Sequence, residues 1–244
     1  NFANRHSLSS PLPLQCYAPI IHIVARAHFR TPALTLIKEA LRTSKLVGSD
    51  DHGQIPAKDA QTPKLFKELV DTYRVCNSSP LVFALLIEGL LDVNKLDPCI
   101  EIVRLLMSRG FSPPVKTCNR LISTALSQKG CDFGYDLYRE IFGFNHDGGD
   151  GENVKERVGH KLVPNVCTIN ELMAAFHRNG SVDMVEELWI EMAKLNLTPN
   201  VSSYGILMTA YCTEGAMEKA RNVWADLREK GLRPDVGAYN TLIG

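Results

Sequence analysis

The sequence has no surplus of charge of either sign: Lys plus Arg and Asp plus Glu each number 27 in 244 residues, so the formal net charge is zero. A protein that grips a polyanion over a wide surface carries a basic excess. Any recognition of phosphates must therefore rest on where individual cations stand. The seven cysteines, Cys16, Cys76, Cys99, Cys118, Cys131, Cys167 and Cys212, contain no Cys-x-x-Cys pair and are odd in number. That pattern excludes a zinc knuckle and a disulfide framework, and it suits small buried or half-buried residues in a reducing compartment. No apolar run is long enough to span a bilayer as a helix. Catalytic signatures are missing too. There is no His-x-Glu with Cys-x-x-Cys, no phosphate loop and no nucleophile elbow. The expectation is a chain that is not an enzyme, with no cofactor, no metal, no membrane and no small-molecule substrate.

What is present is a repeat. Pro164, Pro199 and Pro234 stand 35 residues apart, as do Gly180 and Gly215, and Trp189 and Trp224. Each unit reads as two helices. Val166, Ile169, Leu172, Met173 and Phe176 recur at helical spacing. Gly180 then acts as a stop, and Val185, Leu188, Trp189 and Met192 mark one face of a second helix, the two tryptophans falling on the face that packs in the core. Pro199 blocks its continuation. Thr168 followed by Glu171 reads as a capping box. One hairpin cannot bury its apolar face alone, whereas stacked neighbours can. The predicted fold is all-α, a right-handed solenoid of stacked antiparallel helical hairpins with 35-residue repeats.

These residues resemble the plant pentatricopeptide repeat family. The match is carried by Val201-Ser-Ser-Tyr204, Gly215, Ala220, Gly231-Leu-Arg-Pro-Asp235 and Tyr239-Asn240-Thr-Leu-Ile243. Upstream, Val115-Lys-Thr-Cys-Asn119-Arg-Leu-Ile122 opens a related unit, and Pro80 to Pro114 forms another. The repeats are thus read as 80–114, 115–165, 166–200, 201–235 and a partial 236–244. The 115–165 unit carries a polar, Gly-rich insertion at 143–160, whose Asp147, Asp150 and Glu152 lack the spacing of a calcium loop. Residues 16–79 read as degenerate helical hairpins with a polar link at 44–62, and 1–15 as a flexible segment. That segment lacks Asp and Glu and carries Arg5, which suits the tail of a transit peptide. The chain reads as a fragment of an organellar member, with the mitochondrion preferred and the chloroplast as alternative.

The resemblance implies a function. In this family the fifth residue of each unit and its last read one base of single-stranded RNA. Carried over, the pairs are Asn119 with Asn165, Asn170 with Asn200, Gly205 with Asp235, and Asn240 with no partner in the sequence; Ala84 with Pro114 offers no polar side chain. An amide presents both donors and an acceptor to a base edge. The implied preference is pyrimidine–pyrimidine–any base. The implied phosphate contacts are Lys116, Arg120, Lys129 and Arg178. Read as residues alone, the same asparagines also suit helix ends. Two functions stay open on the sequence: an organellar RNA-binding adaptor for RNA processing, stability, splicing or translation, or a protein–protein scaffold using the same groove. Protein partners or a homodimer fit either.

Overall fold

The computed structural model describes residues 12–46, 64–143 and 162–234. Most of the polar link, most of the insertion, and both Asp235 and Asn240 lie outside the described residues. Among the described residues there are eleven α-helices and no strand. The chain divides into two compact units, one up to Thr117 and one from Cys118 onward.

The first unit contains α1 (Leu14–Arg26), α2 (Arg30–Leu46), α3 (Lys64–Tyr73), α4 (Leu81–Asp92), α5 (Leu96–Ser108) and the first residues of α6 (Val115–Lys129). Residues 14 and 15, grouped above with the N-terminal segment, are therefore helical. The sequence of α4 is apolar on every side, and such a helix belongs in a core. It is buried from Val82 through Leu91 and packs on α1, α2 and α5. Gly89 lets α2 come close: a Cβ there would stand 2.7 Å from Ile37 Cγ2. The one carboxylate on this buried stretch, Glu88, is paired with Arg30 and lies 3.5 Å from the Thr117 hydroxyl. His22, 1% exposed, ties α1 to α3. Its Nε2 lies 3.1 Å from the Leu69 carbonyl and 3.0 Å from Thr72 Oγ1, and its Nδ1 lies 2.6 Å from Ser78 Oγ.

The second unit contains the rest of α6, then α7 (Cys131–Phe142), α8 (Val166–Arg178), α9 (Val182–Lys194), α10 (Val201–Glu214) and α11 (Met217–Glu229). Helices α8 and α9 form one hairpin, and α10 and α11 the next. Helix α10 also packs on α8 and α9, so consecutive hairpins share a core. Ile169, Leu172, Met173, Val185, Leu188, Met192, Tyr204 and Leu207 are each 2% exposed or less in that core. Trp189 is half-buried, contrary to the core position read from the sequence, and its ring stands edge-on to Tyr204 at 5.0 Å.

The helix ends repeat one device. After α8 the Ser181 amide bonds the Phe176 carbonyl at 3.0 Å, and after α10 the Ala216 amide bonds the Tyr211 carbonyl at 2.8 Å. This six-residue closure needs a left-handed residue at its centre. Gly180 (φ 79°) and Gly215 (φ 81°) supply it, which is why the glycine repeats with the period of the hairpin. After α4 and α9 the same place is taken by Asn94 and Asn196, each at φ 55°, since Asn tolerates that region better than other side chains do.

Candidate functional site

The start of each first helix is set by an asparagine. Asn165 caps α8 with an extended backbone (φ −115°, ψ 175°), and its side-chain oxygen accepts the Thr168 amide at 3.0 Å. The Thr168 hydroxyl in turn accepts the Asn165 amide at 3.1 Å. Asn200 and Ser203 repeat this box at α10, with both bonds between 3.0 and 3.1 Å. The cap is thus one turn earlier than the Thr168–Glu171 box expected from the sequence. Glu171 is not free to close such a box, because its carboxylate bonds Ser123 on α6. Burial holds that carboxyl above the usual carboxylate range, with the Ser123 bond opposing.

The cap asparagine then meets the fifth residue of the preceding first helix. Asn119 Nδ2 donates to Asn165 Oδ1 at 3.1 Å, and Asn170 Nδ2 donates to Asn200 Oδ1 at 3.3 Å. So the geometry brings together, amide to amide, the two pairs singled out in the sequence. Their surroundings differ. Asn119 is 7% exposed and its oxygen accepts the Thr168 hydroxyl at 2.7 Å. Asn170 is half-buried, and its own oxygen is buried without a hydrogen-bond partner. Asn165 and Asn200 are exposed at the rim.

Gly205 occupies the equivalent place on α10, and nothing lies within 4 Å of where a Cβ would stand. Its partner Asp235, like Asn240, lies outside the described residues. In the first unit the fifth residue is Ala84, buried at the floor of an apolar cleft with Leu81, Phe83, Phe111 and Pro114. Lys116, at the start of α6, is exposed. In the second unit Arg120, Lys129 and Arg178 are exposed, and Lys129 Nζ sits 4.7 Å above the Phe133 ring.

Sequence reasoning missed two parts of this arrangement: the hydroxyl of Thr168 behind Asn119, and the Ser123–Glu171 bond between first helices. The first had a signal, an Asn-x-x-(Thr/Ser) pattern at 165–168 and again at 200–203. The second had none. Burial pushes the Cys118 thiol up to about 12, so it is inert as a nucleophile near neutrality. Among the described residues, no group of three or more His, Cys, Asp or Glu side chains is placed to hold a metal, and no helix is long and apolar enough to cross a membrane.

Comparison with known proteins bears on this arrangement. The model of the PPR repeat family matches residues 164–213 and 199–244. The pentatricopeptide repeat-containing protein At2g15980 of Arabidopsis thaliana is 37% identical over 191 residues, covering 78% of this chain and 36% of its own. The mitochondrial pentatricopeptide repeat-containing protein At1g66345 of the same plant is 26% identical over 184 residues, covering 75% of this chain and 27% of its own. The chain spans about a third of the length of these curated relatives. Among solved structures, the PPR domain of Arabidopsis thaliana protein-only RNase P 1, determined in complex with tRNA, superposes with a TM-score of 0.53. It is 13% identical, with 72% of this chain and 86% of that one covered. That likeness is one of fold: an all-helical array of hairpins. On its repeats, its fold and its relatives, this chain belongs to the pentatricopeptide repeat family.

Proposed function

We propose that this chain binds single-stranded RNA, one base per repeat, with Asn119 and Asn165 meeting one base and Asn170 and Asn200 the next. The observation that carries this is the recurrence of the same bonded pair of amides in successive repeats, at 3.1 and 3.3 Å, each with one member exposed at the rim. A purely structural cap needs the second asparagine of each pair and not the first. Asn119 and Asn170 lie inside first turns, where Asn costs helix propensity, so their placement asks for another role. Base edges of unpaired nucleotides supply one, because they present the donors and acceptors an amide can meet.

The neighbouring sites follow the same register. Gly205 with Asp235 contributes at most the carboxylate, and Asn240 opens a further site. Arg120, Lys129 and Arg178 are the proposed phosphate contacts of the second unit, and Lys116 is proposed for the same work at the start of α6. With so few cations on a neutral chain, affinity is modest and falls with salt. The role is that of an adaptor holding an RNA segment rather than a catalyst. The preferred location is the mitochondrion, in line with the name of one relative, with the chloroplast as the alternative organelle.

The test is binding of a labelled, randomised single-stranded RNA pool to the chain and to the Asn119→Ala/Asn170→Ala double variant. Salt-sensitive binding at micromolar protein that weakens in the variant supports the reading. Wild-type protein that retains no RNA defeats it, and leaves the peptide-scaffold reading in its place.

A further inference from the structure

Two asparagine pairs of the same composition are held differently, and the difference lies in one hydroxyl. Thr168, 1% exposed, accepts the Asn165 amide and donates to the Asn119 side-chain oxygen at 2.7 Å. That bond fixes which way the Asn119 amide faces: oxygen inward on the hydroxyl, nitrogen outward toward Asn165. The Asn165 oxygen is committed as well, to the Thr168 amide at 3.0 Å and to Asn119 Nδ2 at 3.1 Å. The Asn165 oxygen is therefore filled by two donors, and the Asn119 oxygen is turned inward on the hydroxyl. What remains uncommitted is N–H, since each amide nitrogen carries two hydrogens.

Both hydroxyls also lie near the oxygen of their own cap, Thr168 at 3.0 Å from Asn165 and Ser203 at 3.1 Å from Asn200, but only Thr168 reaches the preceding first helix: the Asn170 oxygen is buried with no partner. There the Asn170 amide is oriented only by its 3.3 Å bond to Asn200, and its own oxygen stays an uncommitted acceptor.

We infer that Thr168 is a positioning residue for base specificity: by locking the Asn119 amide it leaves the Asn119–Asn165 pair able only to donate, which selects cytosine, while the unlocked Asn170–Asn200 pair accepts cytosine and uracil alike. The selection follows from base chemistry. Cytosine is the base whose Watson–Crick edge carries two neighbouring acceptors, N3 and O2, to match two neighbouring donors. Uracil puts an N–H between its two carbonyls, and a donor-only pair leaves that N–H unanswered. The inference rests on the RNA-binding reading above, and it adds a residue outside the pair that decides which base the pair takes.

The experiment uses the full 244-residue chain. Selection from the randomised pool with wild type and Asn119→Ala identifies the nucleotide whose preference depends on Asn119. Short RNAs carrying cytidine, uridine or zebularine at that nucleotide are then titrated. Zebularine keeps N3 and O2 and lacks the exocyclic amine. Wild type is expected to prefer cytidine over uridine by roughly tenfold, the effect of one well-placed hydrogen bond, and to bind zebularine within about twofold of cytidine. Thr168→Val is expected to lose the cytidine preference at this nucleotide alone, and Thr168→Ser, which restores a hydroxyl, to keep it. A Thr168→Val chain that folds by circular dichroism and still prefers cytidine overturns the inference, as does loss of the preference in Thr168→Ser. If Thr168→Val does not fold, zebularine decides on wild type: roughly tenfold weaker binding than cytidine means the pair accepts from the amine, and the inference is wrong. A wild type that binds RNA with no preference at the Asn119 nucleotide also overturns it. A wild type that binds no RNA defeats the proposed function instead.

Discussion

Tyr138 donates its hydroxyl to the Glu191 carboxylate at 2.7 Å, joining α7 to α9 although the two residues are 53 positions apart. Tyr138 is fully buried, and burial first, then the nearby carboxylate, pushes its phenol well above the usual range. The phenol therefore stays protonated and remains a donor throughout the accessible pH range. Tyr138→Phe removes the donor and leaves the ring. The expected cost is about 1–2 kcal/mol, a fall of a few degrees in the melting temperature read by circular dichroism. An unchanged melting temperature would show the bond to be idle.

The cap asparagines should separate from the fifth-position asparagines in their effect on stability. Asn165→Ala removes a cap and is expected to cost about 1 kcal/mol. Asn165→Ser keeps the cap oxygen and is expected to restore most of that loss. Only Asn165→Ala should lower the denaturant midpoint appreciably, while both should weaken selective RNA binding, because neither keeps the amide. A serine variant that binds RNA like wild type would remove Asn165 from the proposed site.

Gly205 is the place where a side chain can be added. The space around it is open, it lies within α10, and a helical glycine is less stable than alanine there by about 0.5–1 kcal/mol. Gly205→Ala should therefore raise the melting temperature slightly. Gly205→Asn should leave stability near wild type and create base selectivity one nucleotide beyond the Asn170 position. Pool selection with the two variants checks this: new selectivity in the alanine variant, or none in the asparagine variant, would contradict it.

His22 makes the first unit sensitive to acid. Burial lowers its pKa from the ordinary 6.5, with the Leu69 carbonyl opposing. The unfolded chain therefore binds the proton more readily than the folded one, and stability rises with pH through this window. The contribution is intact above about pH 6.5 and is lost as pH falls below it. Thermal melts at about pH 5 and about pH 7.5 should differ in wild type and differ less in His22→Gln. An equal difference in both would assign the acid sensitivity elsewhere.

Much of the second unit was legible because its signals are local. The 35-residue spacing of Gly180 and Gly215 marks hairpin turns, since a six-residue closure needs a left-handed residue whatever surrounds it. The cap was misread because Thr168-x-x-Glu171 satisfies the same local rule as Asn165-x-x-Thr168, and what decides between them is distant: Ser123 engages Glu171, and Asn119 engages Thr168. Long-range partners also explain why the near-complete burial of Asn119 and the central place of α4 were not foreseen. The sequence of α4 shows that it is apolar, but not that α1, α2 and α5 all close over it.

The boxes that join Asn165 to Thr168 and Asn200 to Ser203 straddle the point where one repeat is conventionally said to end and the next to begin. A chimera spliced at that boundary keeps each pair of amides together but takes a cap from one parent and its reciprocal hydroxyl from another. A cassette that keeps the cap box whole runs instead from one hairpin turn to the next, from Gly180 to Gly215. Cutting there moves the second helix, the cap, its hydroxyl and the following first helix as one piece but parts Asn170 from Asn200, so the module that keeps the caps is half a repeat out of phase with the module that keeps the amide pairs.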